Sequence, residues 1–208
     1  KTWTYSVWMK MNPAHVHPTL PGGRALLLCH TANGATTAFV VDTWGQVLNI
    51  SYSTDTWLST SAVYRDPAAW MHVCITLDTT STTAADRMIL TINGSRVTDF
   101  SNTNAITQDA DLPMNRAEIT YISCTSAFAE TFDGQMSQAY FIDGLALGPG
   151  YFGYTDPLTN TWRPKAFRAE GTTVNNGTVW SSTGTLDTNP ANAFDGDTSN
   201  YAGATSGT

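Results

Sequence analysis

The chain has 208 residues, of which 41% are hydrophobic, 11% aromatic and only 13% charged, and its formal net charge is −7. The hydrophobic fraction is sufficient for a packed core, which excludes an intrinsically disordered chain. Lys and Arg number 10 against 17 Asp and Glu, so the clustered positive charge that nucleic-acid binding needs is missing. The longest apolar run, Ala25 to Cys29, is far shorter than the roughly 20 residues of a membrane-spanning helix. Neither nucleic-acid binding nor membrane insertion is expected.

The first segment, Thr2 to Lys10, alternates apolar and polar residues, which predicts a strand with one buried face. A loop rich in Pro and Gly follows it. Similar short runs, each bounded by Gly, Asn, Asp or Pro, continue along the chain. The predicted strands are Arg24 to His30, Thr36 to Asp42, Gln46 to Ser53, Leu58 to Tyr64, Met71 to Asp78, Met88 to Ile92, Ser95 to Phe100, Glu118 to Cys124 and Gly134 to Ile142.

Two local motifs are more specific than the strand pattern. Asn93-Gly94 lies between two strand-like runs, which predicts a type I′ hairpin because both central residues need a positive φ. Asp66 followed by Pro67 predicts the start of a short helix at residues 65–69. No longer helical pattern is present, so the fold class is all-β. We predict an antiparallel β-sandwich or jelly roll with a C-terminal extension.

The composition changes after residue 148. Residues 1–148 carry the strand pattern, and residues 149–170 are rich in Pro, Gly and aromatic residues and are expected to wrap the edge of the sandwich. Residues 171–208 are nearly all Gly, Thr, Asn and Ser, which predicts a linker and the start of a second β module. Because the chain begins at Lys1, it is expected to be a processed product or a piece of a longer polypeptide.

A set of segments in this order resembles the laminin-G-like, concanavalin A-like jelly rolls of bacteriophage structural proteins: residues 3–10, 64–66, 70–72, 86–87, 92–97, 132–134 and 140–147. Phe152 to Phe167 resembles the tail that follows this domain in virion proteins of marine phages, especially cyanophages. The resemblance implies a non-enzymatic virion part, either a tail fibre or other surface appendage or a capsid decoration protein. It also implies other virion proteins as partners and a homo-oligomer, with a trimer favoured. A protein of this type is expected to require no cofactor.

Candidate carbohydrate-binding residues are aromatic, because a flat ring stacks on the apolar face of a sugar while neighbouring polar groups bind its hydroxyls. Trp44 lies in a predicted turn, and Trp57 lies near Tyr52 and Asp55, also at a predicted loop. Packing of these tryptophans against a neighbouring strand or chain is the competing interpretation. Trp3 and Trp70 are expected in the core.

Acidic pairs are the candidates for metal binding, because calcium prefers several oxygen ligands. They are Asp109 with Asp111 and Asp195 with Asp197, and ordinary turn formation by Asp is the competing interpretation. His15 and His17 form a weaker candidate, with a solvated loop preferred. The odd number of cysteines, Cys29, Cys74 and Cys124, favours buried free thiols over a disulfide.

Catalysis is not expected. Glycoside hydrolysis needs two carboxyl groups flanking the bond, and the only glutamates are Glu118, Glu130 and Glu170, none of which shares a strand face with a second acid. No Gly-x-Ser-x-Gly motif accompanies the histidines, and His72 is expected to be a hydrogen-bonded structural residue. Two functions therefore remain open: adhesion to host-surface glycan from a tail fibre or similar appendage, and decoration of the capsid through protein contacts alone. Either places the chain on the virion.

Overall fold

The computed structural model describes residues 1–11, 25–31, 38–43, 47–52, 55–64, 66–112, 114, 120–123, 132, 134–168, 173–175 and 178–180. These residues form the following strands: β1 Thr2–Met11, β2 Ala25–Thr31, β3 Ala38–Thr43, β4 Asn49–Tyr52, β5 Asp55–Thr60, β6 Met71–Asp78, β7 Met88–Ile92, β8 Ser95–Arg96, β9 Phe100–Thr103, β10 Thr120–Ile122, β11 Gly134–Asp143, β12 Gly153–Thr155, β13 Trp162–Pro164, β14 Thr173–Asn175 and β15 Thr178–Trp180. Two 3₁₀ turns lie at Ala84–Asp86 and Pro149–Tyr151.

Eleven of these strands form two antiparallel sheets. The five-stranded sheet has the order β11-β1-β6-β7-β8, and the six-stranded sheet has the order β10-β2-β3-β4-β5-β9. Side chains from both sheets meet in one hydrophobic core, so the sheets pack face to face. The prediction of an all-β antiparallel sandwich is confirmed.

The core is built on the alternation that the sequence shows. Trp3, Tyr5, Val7 and Met9 of β1 are at most 1% exposed, and Val73, Ile75 and Leu77 of β6 are fully buried beside them. From the six-stranded sheet, Val41, Ile50 and Leu58 complete the contact.

The opposite face of β1 is buried as well. Thr4 and Ser6 are 0% exposed and Trp8 is 6% exposed. Residues 145–167, which we call the strap, cover this outer face. The Thr4 hydroxyl donates to Leu145 O (2.7 Å) and accepts from Leu147 N (2.8 Å), while the Thr76 hydroxyl of β6 donates to Leu147 O (2.6 Å). The expectation of one buried face is therefore wrong for β1, because the strap shields its polar face and satisfies the Thr4 hydroxyl.

The strap also differs from its predicted position at the sandwich edge. It lies over the outer face of the five-stranded sheet, and β12 and β13 pair within it as a hairpin. Phe152, the residue before β12, is 1% exposed. The strap thus forms a third layer, and the aromatic side chains of Phe152 and Trp162 pack against the sheet.

The two local motifs have different outcomes. Asn93 (φ 48°) and Gly94 (φ 81°) form the turn between β7 and β8, as predicted for a type I′ hairpin. No helix forms at residues 66–69, although the Asp66 carboxylate accepts a hydrogen bond from the Ala68 amide (2.8 Å), the contact that an N-cap residue makes.

The chain divides into two compact units, Lys1–Phe167 and Arg168–Thr208. In the second unit the structure describes only the β14–β15 hairpin. Throughout the described ranges, no helix has the length and apolar character needed to cross a membrane.

The glycine at position 153 carries a testable packing constraint. A Cβ atom on Gly153 would overlap the Trp162 ring, whereas one on Gly150 would meet nothing within 4 Å. We expect Gly153→Ala to lower the free energy of unfolding by about 1–3 kcal/mol, because an overfilled contact must displace the indole. Gly150→Ala is the matched control and should unfold at the wild-type urea midpoint. Equal midpoints for the two variants would contradict the packing described for Trp162.

Candidate functional site

A cavity of about 390 Å³ opens where one edge of the sandwich brings the two sheets together. Its floor is apolar and includes Trp57 from β5, Leu90 from β7, Phe100 from β9 and Ile106. Polar side chains of the same cavity come from Arg96, Thr98, Thr103 and Asn104, all of them exposed. An apolar concave surface with a few polar groups is the usual form of a small-ligand site.

Hydrogen bonds hold the residues around this cavity in place. Asn104 is fixed through its amide side chain, which donates to Thr56 O (2.7 Å), and through its backbone N, which donates to Trp57 O (2.8 Å). Arg87 donates to Ile106 O (2.7 Å) and to Ser81 O (2.9 Å), which attaches the 104–106 segment to the start of β7. The walls are therefore supported from both sheets.

The one cationic side chain among the cavity's described lining residues is neutralised locally. Arg96 lies 2.8 Å from Asp86 and also donates to Ala85 O (2.8 Å). Because the ion pair balances the guanidinium charge, the cavity favours a neutral ligand over an anionic one. Sequence analysis did not single out Arg96 or Asn104, since nothing local shows that their strands meet at one edge.

The predicted sugar-binding residues fall in different places. Trp57 lies within β5 and is 9% exposed, so its predicted loop position is wrong, but its ring lines the cavity. Tyr52 and Asp55 face each other across the β4–β5 hairpin, and their side chains lie outside the described set. Trp44 also lies outside the described residues. Sugar binding by these residues stays a prediction.

The predictions for Trp3 and Trp70 have different outcomes. Trp3 is 1% exposed, as predicted for a core residue. Trp70 is 41% exposed, because it precedes β6 rather than lying within it. The prediction that Trp70 lies in the core is wrong.

The acidic pair Asp109 and Asp111 is exposed. Asp109 has a positive φ of 59° in a turn, and its carboxylate accepts a hydrogen bond from Lys1 Nζ (3.3 Å). No cluster of three or more metal-ligating side chains exists among the residues that the structure describes. Asp195 and Asp197 lie outside those residues, as do His15 and His17.

A second group of hydrogen-bonded side chains, which contains a serine and a histidine, lies under the strap. Its histidine, His72, is 0% exposed. Its Nε2 atom lies 2.9 Å from Ser6 Oγ, and its Nδ1 atom accepts a hydrogen bond from Trp162 Nε1 (3.0 Å). The ring stacks between Trp8 and Trp162, with centroids 5.1 and 5.9 Å away. Burial lowers the pKa of His72 from 6.5 to about 4, so the ring is neutral at pH 7. The expectation of a hydrogen-bonded structural histidine is confirmed.

This hydrogen bonding fixes the tautomer. An indole N–H only donates, so Nδ1 of His72 must be unprotonated and the proton of the neutral ring must lie on Nε2. Nε2 then donates to Ser6 and has no lone pair with which to take the serine proton. The pair therefore lacks the base that activates a serine nucleophile.

Cys74, also on β6, is buried and free, and burial raises the pKa of its thiol to about 11. A thiol in this state is not a reactive nucleophile at neutral pH. The backbone of Cys29 lies in β2, while Cys124 lies outside the described residues.

No protein-family model matches the chain, and no curated protein matches it. Among solved structures, the chain is similar to domain 4 of AbnA, a GH43 extracellular arabinanase from Geobacillus stearothermophilus, in complex with arabinotriose. The TM-score is 0.46 at 15% sequence identity, and the match covers 72% of this chain and 63% of that chain. At this similarity the match assigns neither a ligand nor an activity to the present chain.

The tautomer of His72 predicts how Ser6 behaves. A fluorophosphonate probe for activated serines should leave Ser6 unlabelled at pH 7, because Nε2 carries a proton and the pair is buried. Ser6→Ala should lower the free energy of unfolding by about 1–3 kcal/mol, since the Nε2–H donor loses its acceptor. Ser101→Ala, at an exposed hydroxyl, is the control and should have little effect. Covalent labelling of Ser6 would overturn the assigned tautomer.

Proposed function

We propose that this chain is a non-catalytic domain of a bacteriophage surface appendage, such as a tail fibre, that adheres to host-surface glycan. The observation that carries the binding proposal is the cavity at the sandwich edge, with Trp57 in its wall and polar side chains around it. The virion assignment rests on the ordered sequence resemblance to phage jelly rolls.

The chemistry of the cavity suits a sugar in two respects. Trp57 and Phe100 supply the aromatic surface against which apolar sugar faces pack, and Thr98, Thr103 and Asn104 supply hydroxyl and amide groups. The Arg96–Asp86 ion pair leaves no unbalanced positive charge at the cavity. A neutral saccharide unit is therefore the ligand that we favour.

We also propose that this chain is not an enzyme. The three glutamates lie outside the described residues, so the argument against glycoside hydrolysis rests on their small number and their separation in the sequence. The fixed tautomer of His72 argues separately against serine hydrolysis. Incubation with polysaccharide of a susceptible host should release no reducing sugar, and measured release would contradict this part of the proposal.

Filling the cavity tests the binding proposal without removing a core residue. Ala105 is exposed and lines the cavity, so Ala105→Trp should block it while the sandwich remains folded. On an array of bacterial surface polysaccharides, we expect the apparent affinity for the bound glycan to fall at least about tenfold, which corresponds to about 1.4 kcal/mol.

The matched control is Ala69→Trp, an equally large change at an exposed alanine outside the cavity lining. It should bind as the wild-type chain does. If the wild-type chain binds no surface glycan, the adhesion proposal fails. If Ala105→Trp binds as well as Ala69→Trp, binding occurs elsewhere on the chain.

A capsid decoration protein is the second candidate, and the β12–β13 hairpin favours it. Leu158 at the tip of this hairpin is 94% exposed, and Tyr154 is 49% exposed. Asp156 holds the tip, because its carboxylate accepts from Leu158 N and Thr159 Oγ1 (both 2.9 Å), and these bonds lower the pKa of Asp156. A fixed, exposed leucine suits a protein contact. Locating the chain on the shell or on the tail by cryo-electron microscopy of virions separates the two candidates.

A further inference from the structure

The strap is attached to the sheet through a histidine whose two ring nitrogens are both engaged. His72 Nδ1 accepts from Trp162 of the strap, and His72 Nε2 faces Ser6 of β1. Trp162 is held against the turn below it, because a Cβ atom on Gly94 would lie 2.6 Å from its ring. The indole therefore has little freedom to move while the hydrogen bond to His72 stays in place.

Protonation of His72 is incompatible with this arrangement. A protonated imidazole has N–H groups at both nitrogens, so Nδ1 would present a hydrogen to the Trp162 N–H, which cannot accept it. The contact with Ser6 survives, because the serine oxygen accepts from Nε2 in either protonation state. The loss is thus confined to the contact of Trp162, because the bonds from Thr4 and Thr76 to Leu145 and Leu147 do not involve His72.

The surroundings of His72 do not compensate a positive charge. The described groups that face its ring are Ser6 and Trp8 from β1, Phe152 and Trp162 from the strap, and Cys74 on β6 itself, and all are uncharged at neutral and acid pH. The charged residues on the same elements are Lys10, Asp78, Asp156, Arg163 and Lys165, and none forms a described ion pair with His72; Arg163 lies near Asp156 (3.7 Å).

From these contacts we infer that His72 and Trp162 form an acid-sensitive latch: proton uptake by His72 releases Trp162, and with it the β12–β13 hairpin of the strap, from the outer face of the five-stranded sheet. The sign follows from linkage. With the strap in place the pKa of His72 is about 4, whereas a solvated imidazole has its ordinary value of 6.5. Above pH 6.5 both states are neutral and the latch is stable. As the pH falls from 6.5 towards 4, only the released state takes up the proton, so release becomes progressively more favourable.

The labelling rate of the Cys74 thiol can be used to measure this release. Its thiol is fully buried two residues from His72 on the same face of β6, and Ser6 lies opposite it in register on β1. 4,4′-Dithiodipyridine reacts with thiols at both acid and neutral pH, and mass spectrometry of the labelled peptide separates Cys74 from Cys29 and Cys124. After correction for reagent reactivity with a model thiol, labelling of Cys74 should accelerate at least about tenfold from pH 7 to pH 4, the effect of one pKa unit or more.

Two variants identify the group responsible. His72→Gln has no ionisable ring, so its Cys74 labelling should be equal at the two pH values. Trp162→Phe keeps an aromatic ring but lacks the N–H donor, so labelling should already be raised at pH 7. Far-UV circular dichroism at pH 4 must retain the native signal, which distinguishes strap release from unfolding of the sandwich.

Three results would each overturn the latch. They are equal labelling of wild-type Cys74 at pH 7 and pH 4, the same acid-dependent increase in His72→Gln, and loss of the sandwich signal together with the increase in labelling. The wild-type measurement alone decides the matter if a variant fails to fold.

Discussion

Burial of both faces of β1, one apolar and one polar, is the constraint on which the rest of this structure depends. The inner face of the strand is apolar and packs on the six-stranded sheet, as in any sandwich. The outer face carries Thr4 and Ser6, and it is buried too. A buried hydroxyl without a partner is costly, so the layer that covers β1 must also supply hydrogen bonds. The strap does this with backbone groups at Leu145 and Leu147 and with the Trp162 ring that completes the His72 contacts.

The molecule therefore places its two chemically interesting regions on different parts of the fold. The cavity lies at one edge, where β5, β7, β8 and β9 end near each other, and it stays open. The His72 cluster lies on a sheet face and is closed by stacked rings. Polar groups at the cavity are exposed and partly committed to its walls, whereas under the strap Thr4, Ser6, His72 and Thr76 are all buried or half-buried and hydrogen-bonded. The proposed binding site therefore lies at the edge, whereas the contacts that attach residues 145–167 lie on the face.

Sequence reasoning identified the fold because period-two alternation and turn residues are local signals. It placed Met71–Asp78 and the Asn93-Gly94 hairpin as observed, since each is determined by residues that are neighbours in the chain. It assigned Trp57 to a loop because Ser, Thr and Asp around it resemble turn residues. In the structure Asp55 and Thr56 lie in β5 itself, paired with β4.

What could not be predicted depends on contacts between distant segments. The alternation of β1 indicates one polar face, and only residues some 140 positions later show that this face is covered. The role of Trp162 could not be read from the sequence either, because its partner His72 lies 90 residues away. Arg96 and Asn104 line the same cavity because the two sheets come together at this edge. The order of residues in the chain does not show which sheet edges come together.

Gly94 illustrates how closely turn chemistry and layer packing are joined here. Its positive φ closes the hairpin, and its missing side chain makes room for the indole of a distant segment. Asparagine tolerates the same backbone conformation, yet it brings a Cβ atom into the space that the indole fills. The hairpin is thus not an interchangeable module. A turn of the same type with asparagine in place of Gly94 would preserve the local geometry and still place a Cβ atom against the indole of the third layer.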